Sequence, residues 1–123
     1  MPSPTVVIAQ SDPRTAQGLA KDLHAHFSQV AVAQSALELQ TLLRRHEAQV
    51  AVLDLEIIDL EEVQKLTEMF DDLAIICTHR SPDERMWMAA LNAGAVEFCH
   101  PRDLHSILRA TRAAAQQRLD FAA

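Results

Sequence analysis

The sequence contains little glycine and little cysteine. Its 123 residues include two glycines, Gly18 and Gly94, and two cysteines, Cys77 and Cys99. Two isolated glycines cannot build a glycine-rich phosphate loop or a G-x-S-x-G nucleophile turn. Both cysteines lie within apolar runs, where a cysteine is usually a small buried hydrophobic residue, so we expect both to be reduced and buried.

Long hydrophobic runs and a surplus of positive charge are also missing. No apolar run approaches the roughly 18 residues that cross a bilayer, and "MPSPTVV" is not a secretory signal. The net charge of −6 argues against broad nucleic-acid binding, which requires a surplus of Lys and Arg. No His or Cys spacing indicates a metal site. We expect one cytoplasmic domain over residues 1–123, with no nucleic-acid or membrane partner.

Short apolar segments alternate with amphipathic segments along the chain. Strands are predicted at 5–9, 29–33, 48–54, 72–78 and 95–99, and helices at about 13–27, 35–46, 59–70, 82–93 and 102–117. Asp12 before Pro13 is typical of the cap and first residue of a helix. Five strand and helix pairs predict a doubly wound α/β fold, with a five-stranded parallel sheet covered on both faces.

Ligands of such sheets bind at the carboxyl ends of the strands, near the switch in strand order. The candidate residues are those at the ends of the first, third, fourth and fifth strands: Gln10, Ser11, Asp12, Asp54, Glu56, Thr78, His79, His100 and Pro101. A hydrolase site made of Ser11, Asp54, His79 and His100 is a remote alternative, because the chain has no nucleophile turn.

The combined spacing resembles the receiver domain of bacterial response regulators over the whole chain. Asp54 ends the third strand, Thr78 ends the fourth, "NAGA" (92–95) closes the fourth helix and "HPRDL" (100–104) opens the fifth. The resemblance implies a flavodoxin-like sheet with strand order 2-1-3-4-5. In that family two carboxylates after the first strand hold Mg²⁺, and the third-strand aspartate accepts a phosphoryl group. A hydroxyl on the fourth strand and a lysine on the fifth then bind the phosphoryl oxygens.

Three positions match this family pattern. By resemblance, Asp54 stands at the phosphoacceptor position and Thr78 supplies the switch hydroxyl. Phe98 resembles the fifth-strand aromatic residue that changes rotamer when that hydroxyl moves.

The carboxylate pair does not match. Gln10 and Ser11 stand where two carboxylates are expected, and neutral oxygens are poor substitutes for them as ligands of Mg²⁺. Asp12 is one residue further along and is better explained as a helix cap. Glu56 follows Asp54 in the same altered pocket.

The lysine is missing as well, since the only lysines are Lys21 and Lys65. The "VEFCHP" segment is one residue shorter than the family spacing, so His100 or Pro101 falls at the lysine position. His79 replaces the usual small residue after Thr78, where it fills the pocket, pairs as a cation with Asp54 or lies at the surface.

Phosphoryl transfer depends on cations that neutralise the phosphoryl oxygens. The leading hypothesis is therefore an atypical, non-enzymatic receiver without a cofactor, which binds signalling proteins such as a histidine kinase or an output domain. The alternative is a functional receiver, phosphorylated on Asp54 by a histidine kinase with Mg²⁺ as its cofactor.

The face made by the fourth helix, fifth strand and fifth helix is often used for dimers in the family. Residues 86–91 are all apolar and occupy every side of the fourth helix, whereas the sheet covers one stripe. We expect exposed anchors there for a homodimer or a partner, beside a row of arginines on the fifth helix: Met86, Trp87, Met88, Arg102, Arg109 and Arg112. The alternative is that Trp87, Ala90, Leu91 and Gly94 form an ordinary buried core stripe. Only Met86 and Met88 would then be unusual as apolar residues outside that stripe.

Overall fold

The computed structural model describes residues 4–122, with side chains described up to residue 117. The strands are β1 (Thr5–Ala9), β2 (Gln29–Ala33), β3 (Val50–Asp54), β4 (Ala74–Thr78) and β5 (Glu97–Cys99). The helices are α1 (Pro13–His24), α2 (Ala36–His46), α3 (Leu60–Met69), α4 (Glu84–Asn92) and α5 (Leu104–Ala122). The predicted order of ten alternating elements is confirmed.

All five strands form one parallel sheet in the order β2-β1-β3-β4-β5. The predicted fold class and strand order are therefore confirmed. Asp54 pairs in register with Thr78, and Thr78 pairs in register with Cys99. This register brings the carboxyl ends of β3, β4 and β5 to the same level at one edge of the sheet.

Each face of the sheet carries its own hydrophobic core. Val7, Ala51 and Ile75 belong to the core that includes buried side chains of α2, α3 and α4, whereas Ile8 and Val52 belong to the core that includes those of α1 and α5. The strands contribute side chains to both cores, which explains why they appear as continuous apolar runs.

The two cysteines belong to opposite cores, are buried and form no disulfide, as expected. Burial raises the pKa of the Cys77 thiol to about 12. Burial, followed by the nearby carboxylates of Glu97 and Asp103, raises the pKa of Cys99 to about 11. Both groups are therefore protonated thiols at neutral pH.

Helix starts are fixed by capping side chains. Asp12 caps α1 by accepting hydrogen bonds from the Arg14 N–H at 3.2 Å and the Thr15 hydroxyl at 2.9 Å, which confirms its predicted role. Asp83 accepts from the Met86 N–H at 2.7 Å, so α4 begins at Glu84, two residues later than predicted. Asp103 accepts from Ser106 N–H in the same way, and α5 begins at Leu104.

The turn between α4 and β5 requires glycine. Gly94 has φ +115°, and a Cβ atom there would lie 2.5 Å from the Cγ2 atom of Thr67 on α3. This conformation and this close approach account for the glycine of the "NAGA" segment. No helix in the described part of the chain is long and apolar enough to cross a membrane.

Candidate functional site

Asp54 is the centre of the site at the strand ends. Its side chain is 2% exposed. One carboxylate oxygen, Oδ2, accepts hydrogen bonds from the Ser11 N–H at 2.9 Å and the Ser11 hydroxyl at 2.6 Å. The other, Oδ1, accepts from the Glu56 N–H at 2.9 Å. Three donors from this chain therefore already bind both oxygens.

A second buried hydrogen bond links Gln10 with Thr78. The Gln10 amide Nε2 donates to the Thr78 hydroxyl at 3.1 Å, and the same hydroxyl lies 3.5 Å from Gln10 Oε1. Both side chains are buried. The Gln10 amide therefore binds the Thr78 hydroxyl, which is the predicted switch group.

An ion pair lies at the outer edge of the site. Arg80 Nε donates to both carboxylate oxygens of Glu56 at 3.0 Å, and a terminal guanidinium nitrogen lies 2.9 Å from Oε1. The Ser11 hydroxyl also lies 3.2 Å from Glu56 Oε2. The hydrogen bonds from Arg80, with that from Ser11, lower the pKa of the Glu56 carboxyl.

Sequence reasoning did not single out Arg80. The signal was available in the register, because Asp54 and Thr78 are paired and Glu56 and Arg80 each follow them by two residues. Residues that directly follow paired positions on adjacent parallel strands enter neighbouring loops at the same edge of the sheet. The opposite charges at those offsets then predict a pair.

His79 and His100 lie at adjacent strand ends, and both are half-buried. The Nδ1 atom of His79 accepts from the Ser81 N–H at 3.0 Å, and the Nδ1 atom of His100 accepts from the Arg102 N–H at 3.0 Å. In the described part of the chain His79 makes no ion pair with Asp54. Pro101, the other residue predicted near the lysine position, is buried.

Phe98 is half-buried and packs against the core on the α3 and α4 side of the sheet. It also lines a surface cavity of about 290 Å³ together with residues of the β4–α4 loop, α4 and the end of β5: Pro82, Asp83, Glu84, Trp87 and His100. The predicted switch aromatic is thus adjacent to the predicted partner face.

Helix α4 exposes much of its apolar surface. Trp87 is 46% exposed and Met88 is 52% exposed, as expected, whereas Met86 is half-buried. The alternative of an ordinary core stripe was wrong: Ala90 is buried, but Trp87 and Leu91 are exposed. These residues do have helical spacing, but the sheet buries a narrower stripe of the short helix α4 than the core-stripe alternative required.

Helix α5 has one buried side and one charged side. Ile107, Thr111 and Ala115 are buried. The arginines predicted beside the partner face are all exposed: Arg102, Arg109 and Arg112. Arg109 and Arg112 lie on α5, whereas Arg102, predicted on the same helix, lies in the turn before it, because α5 begins at Leu104.

Comparisons of the sequence identify no relative. No protein-family model matches the chain, and no curated protein matches its sequence.

Comparisons of the structure identify the fold. A response regulator from Thermotoga maritima is similar with a TM-score of 0.82 and 22% identity, over 93% of this chain and 98% of that one. A CheY-like receiver domain protein from Methanospirillum hungatei has a TM-score of 0.84 and 16% identity, over 95% and 97% of the chains. An atypical orphan response regulator, whose structure revealed a phosphorylation-independent regulatory mechanism, has a TM-score of 0.81 and 13% identity, over 91% and 95%. The chain therefore has the fold of response regulator receiver domains.

Proposed function

We propose that this chain is an atypical receiver module of two-component signalling, which acts by binding proteins and has weak or no Mg²⁺-dependent phosphorylation at Asp54. The observation that carries the proposal is the state of the Asp54 carboxylate. It is buried, and both of its oxygens accept hydrogen bonds from Ser11 and Glu56. A metal ion or a phosphoryl donor therefore competes with hydrogen bonds of this chain for the carboxylate, and most of all at Oδ2, which already accepts two.

The surrounding groups do not fit Mg²⁺. This ion favours octahedral oxygen ligands and is usually held by one or two carboxylates. Gln10 directs its amide to Thr78, the Ser11 hydroxyl donates to Asp54, and the Glu56 carboxylate is paired with Arg80. Within the described residues, no group of three or more His, Cys, Asp or Glu side chains is arranged to hold a metal ion.

The site also has few cations that could neutralise the charge of a phosphoryl group. The phosphoryl oxygens of a receiver need cations around them, because positioning and electrostatics provide nearly all of the catalysis. Lys21 lies on α1 and Lys65 on α3, and neither stands at a strand end. The nearby guanidinium of Arg80 is held by Glu56. The similar orphan regulator with a phosphorylation-independent mechanism supports this reading.

Phosphorylation of the purified chain tests the proposal. The protein is incubated with acetyl phosphate and millimolar Mg²⁺, and intact-mass analysis measures the phosphoryl adduct, with a conventional receiver domain as a parallel positive control. We expect no appreciable adduct. A stable adduct that needs Mg²⁺ and disappears in Asp54→Asn would refute the proposal.

One observation favours the alternative of a functional receiver phosphorylated by a histidine kinase. Asp54 and Thr78 are paired in register at the ends of β3 and β4, and both side chains are buried. This is the arrangement that a phosphoacceptor and its switch hydroxyl require. Under this alternative Mg²⁺ is the cofactor, and the same mass measurement gives the adduct.

The proposed contact surface is the α4–β5–α5 face, centred on four exposed apolar residues: Trp87, Met88, Leu91 and Val96. Exposed apolar residues grouped in this way commonly mark protein contact sites. Asp83 and Glu84 lie at the start of α4, the exposed Arg109 and Arg112 lie on α5, and the exposed Arg102 lies in the turn before α5. These opposite charges suit a two-fold homodimer, in which the acidic end of one copy meets the basic helix of the other. A histidine kinase or an output domain is the alternative partner.

A further inference from the structure

Two histidines form matching hydrogen bonds at adjacent strand ends. His79 follows β4 and His100 follows β5, and each ring accepts, through Nδ1, the backbone N–H of the residue two positions further on. Both bonds are 3.0 Å long. The backbone N–H of His79 also donates to the Cys99 carbonyl at 3.4 Å, which ties the two strand ends together.

The chemistry of these bonds depends on protonation. A ring nitrogen that accepts a hydrogen bond carries no proton, so in this geometry each neutral ring carries its proton on Nε2. A protonated imidazole has two donors and no acceptor. Protonation therefore replaces attraction at Nδ1 by the repulsion of two N–H groups, and neither bond survives it.

From this geometry we infer that His79 and His100 form a paired, pH-sensitive latch on the loops that follow β4 and β5. In the neutral form the two rings hold the Ser81 and Arg102 amides and fix the loop backbones. Protonation of the two rings on acidification releases both amides. The device needs neither Mg²⁺ nor phosphorylation of Asp54.

The two loops held by the histidines border both the Asp54 site and the α4–β5–α5 face. His79 is placed between Thr78, whose hydroxyl binds Gln10, and Arg80, whose guanidinium binds Glu56. His100 lines the same cavity as Phe98 and Trp87. Release of the two loops would therefore alter the position of the switch hydroxyl and the surroundings of the exposed tryptophan together.

Charged groups of both signs surround the two rings. On the His79 side these groups come from the β3 end and from its own loop: Glu56, which interacts electrostatically with His79, and Arg80, which interacts with Glu56 and Asp54. The groups that share a cavity with His100 come from the start of α4, from β5 and from α5 with its preceding loop: Asp83, Glu84, Glu97, Asp103 and Arg109. Carboxylates outnumber guanidinium groups here, so protonation of the rings brings a cation into a mainly acidic setting.

Asparagine provides a matched variant for each histidine. The Asn side-chain oxygen accepts the N–H two residues further on, as in an Asx turn, and does not titrate. His79→Asn and His100→Asn therefore keep the bond at every pH, whereas His79→Ala and His100→Ala lack it at every pH. His26→Asn is the control, because His26 is exposed at the other end of the molecule, after α1.

Nuclear magnetic resonance of the whole chain tests the inference. Long-range proton–nitrogen spectra at about pH 8 should show Nδ1 of both rings without a proton. On acidification to about pH 5 the exchange protection of the Ser81 and Arg102 amides, corrected for intrinsic rates, should fall about tenfold, the loss expected for one neutral hydrogen bond. The Asn variants should keep this protection, and His26→Asn should behave like the parent protein. Far-UV circular dichroism verifies that each variant is folded.

Three results would overturn the latch. One is a proton on Nδ1 of either ring at the higher pH. Another is protection of the Ser81 and Arg102 amides that does not change with pH. The third is an Asn variant that loses its protection at low pH, since such a transition arises elsewhere. The first two are measured on the parent protein alone, so they stand even where a variant fails to fold.

Discussion

The Gln10 amide donates to the Thr78 hydroxyl at 3.1 Å, from the end of β1 to the end of β4. Strand β3 lies between these two strands, and Asp54 ends it. Gln10 and Thr78 are 7% and 0% exposed, so water cannot easily replace either partner. The Thr78 hydroxyl, the proposed switch group, is therefore held by a neutral side chain of the same molecule.

Removal of one partner of this bond should destabilise the protein. In Gln10→Leu the Thr78 hydroxyl stays buried without its donor, and in Thr78→Val the Gln10 amide loses its acceptor. Each change should cost about 1–3 kcal/mol of unfolding free energy, the usual penalty for an unpaired buried polar group. The double variant Gln10→Leu/Thr78→Val should lose less unfolding free energy than the two single variants together, because it leaves neither polar group buried without a partner. Urea unfolding of the parent, the two single variants and the double variant measures this coupling. Strictly additive losses of unfolding free energy would show that the two side chains do not interact.

Magnesium should hardly change the melting temperature. An ion stabilises a protein only when it binds the native state more tightly than the unfolded state. With Gln10 and Ser11 in place of carboxylates, we expect no strong site for millimolar Mg²⁺. Thermal unfolding with and without Mg²⁺ measures the shift, with Asp54→Asn as the control. A rise of several degrees that depends on Asp54 would mean that the metal site survives.

Replacement of the two neutral residues provides the converse experiment. Gln10→Glu together with Ser11→Asp places two carboxylates beside Asp54 and removes the Ser11 hydroxyl. The variant should be less stable than the parent protein without metal, because like charges then crowd together. Mg²⁺ should raise the melting temperature of the double variant but not that of the parent protein.

The Glu56–Arg80 ion pair should give a pH-dependent stability term. Chiefly through the Arg80 hydrogen bond, the pKa of the native Glu56 carboxyl lies below the ordinary value of 4.5. The pair therefore stabilises the native state above pH 4.5, and this contribution is lost as the pH falls through the lower, native pKa. The difference in unfolding free energy between the parent and Arg80→Gln should be present near neutral pH and disappear in acid. It should also shrink with salt, because Arg80 is 70% exposed.

A matched control exists for this measurement. Arg85 is an exposed arginine of α4, and Arg85→Gln removes the same charge without removing the Glu56 pair. If both variants show the same pH dependence, the effect reports net charge and the ion pair contributes nothing specific.

The sequence predicted the fold more completely than the site. Apolar segments and capping residues such as Asp12 mark elements locally, so their order was recoverable from the chain alone. The position of Asp54 at the end of β3 followed from the same pattern. Element ends were predicted less accurately: β5 begins at Glu97 and not at Ala95, although the Val96 N–H already bonds to the Ile75 carbonyl of β4.

Side-chain partners at the strand ends depend on contacts between distant residues. Gln10 was identified as a replaced carboxylate, but its bond to Thr78 joins residues that are 68 positions apart. The three open interpretations of His79 could not be resolved, because the bond from Ser81 depends on the path of the loop. The exposure of Trp87 depends on how narrow a stripe of α4 the sheet covers, which helical spacing does not specify.

The exposed apolar residues of the α4–β5–α5 face should control association of the chain. Trp87 and Met88 are about half exposed, although apolar side chains of this size normally contribute to cores or contacts. If they anchor a homodimer, Trp87→Ala and Met88→Ala should each weaken dimerisation by about 2 kcal/mol, roughly thirtyfold in Kd. Leu37→Ala is the control, because Leu37 is 76% exposed on α2, away from this face. Sedimentation at micromolar concentrations measures the association. A strict monomer whose partner binding is unchanged by both substitutions would exclude this face, whereas dimerisation weakened equally by Leu37→Ala would place the contact elsewhere.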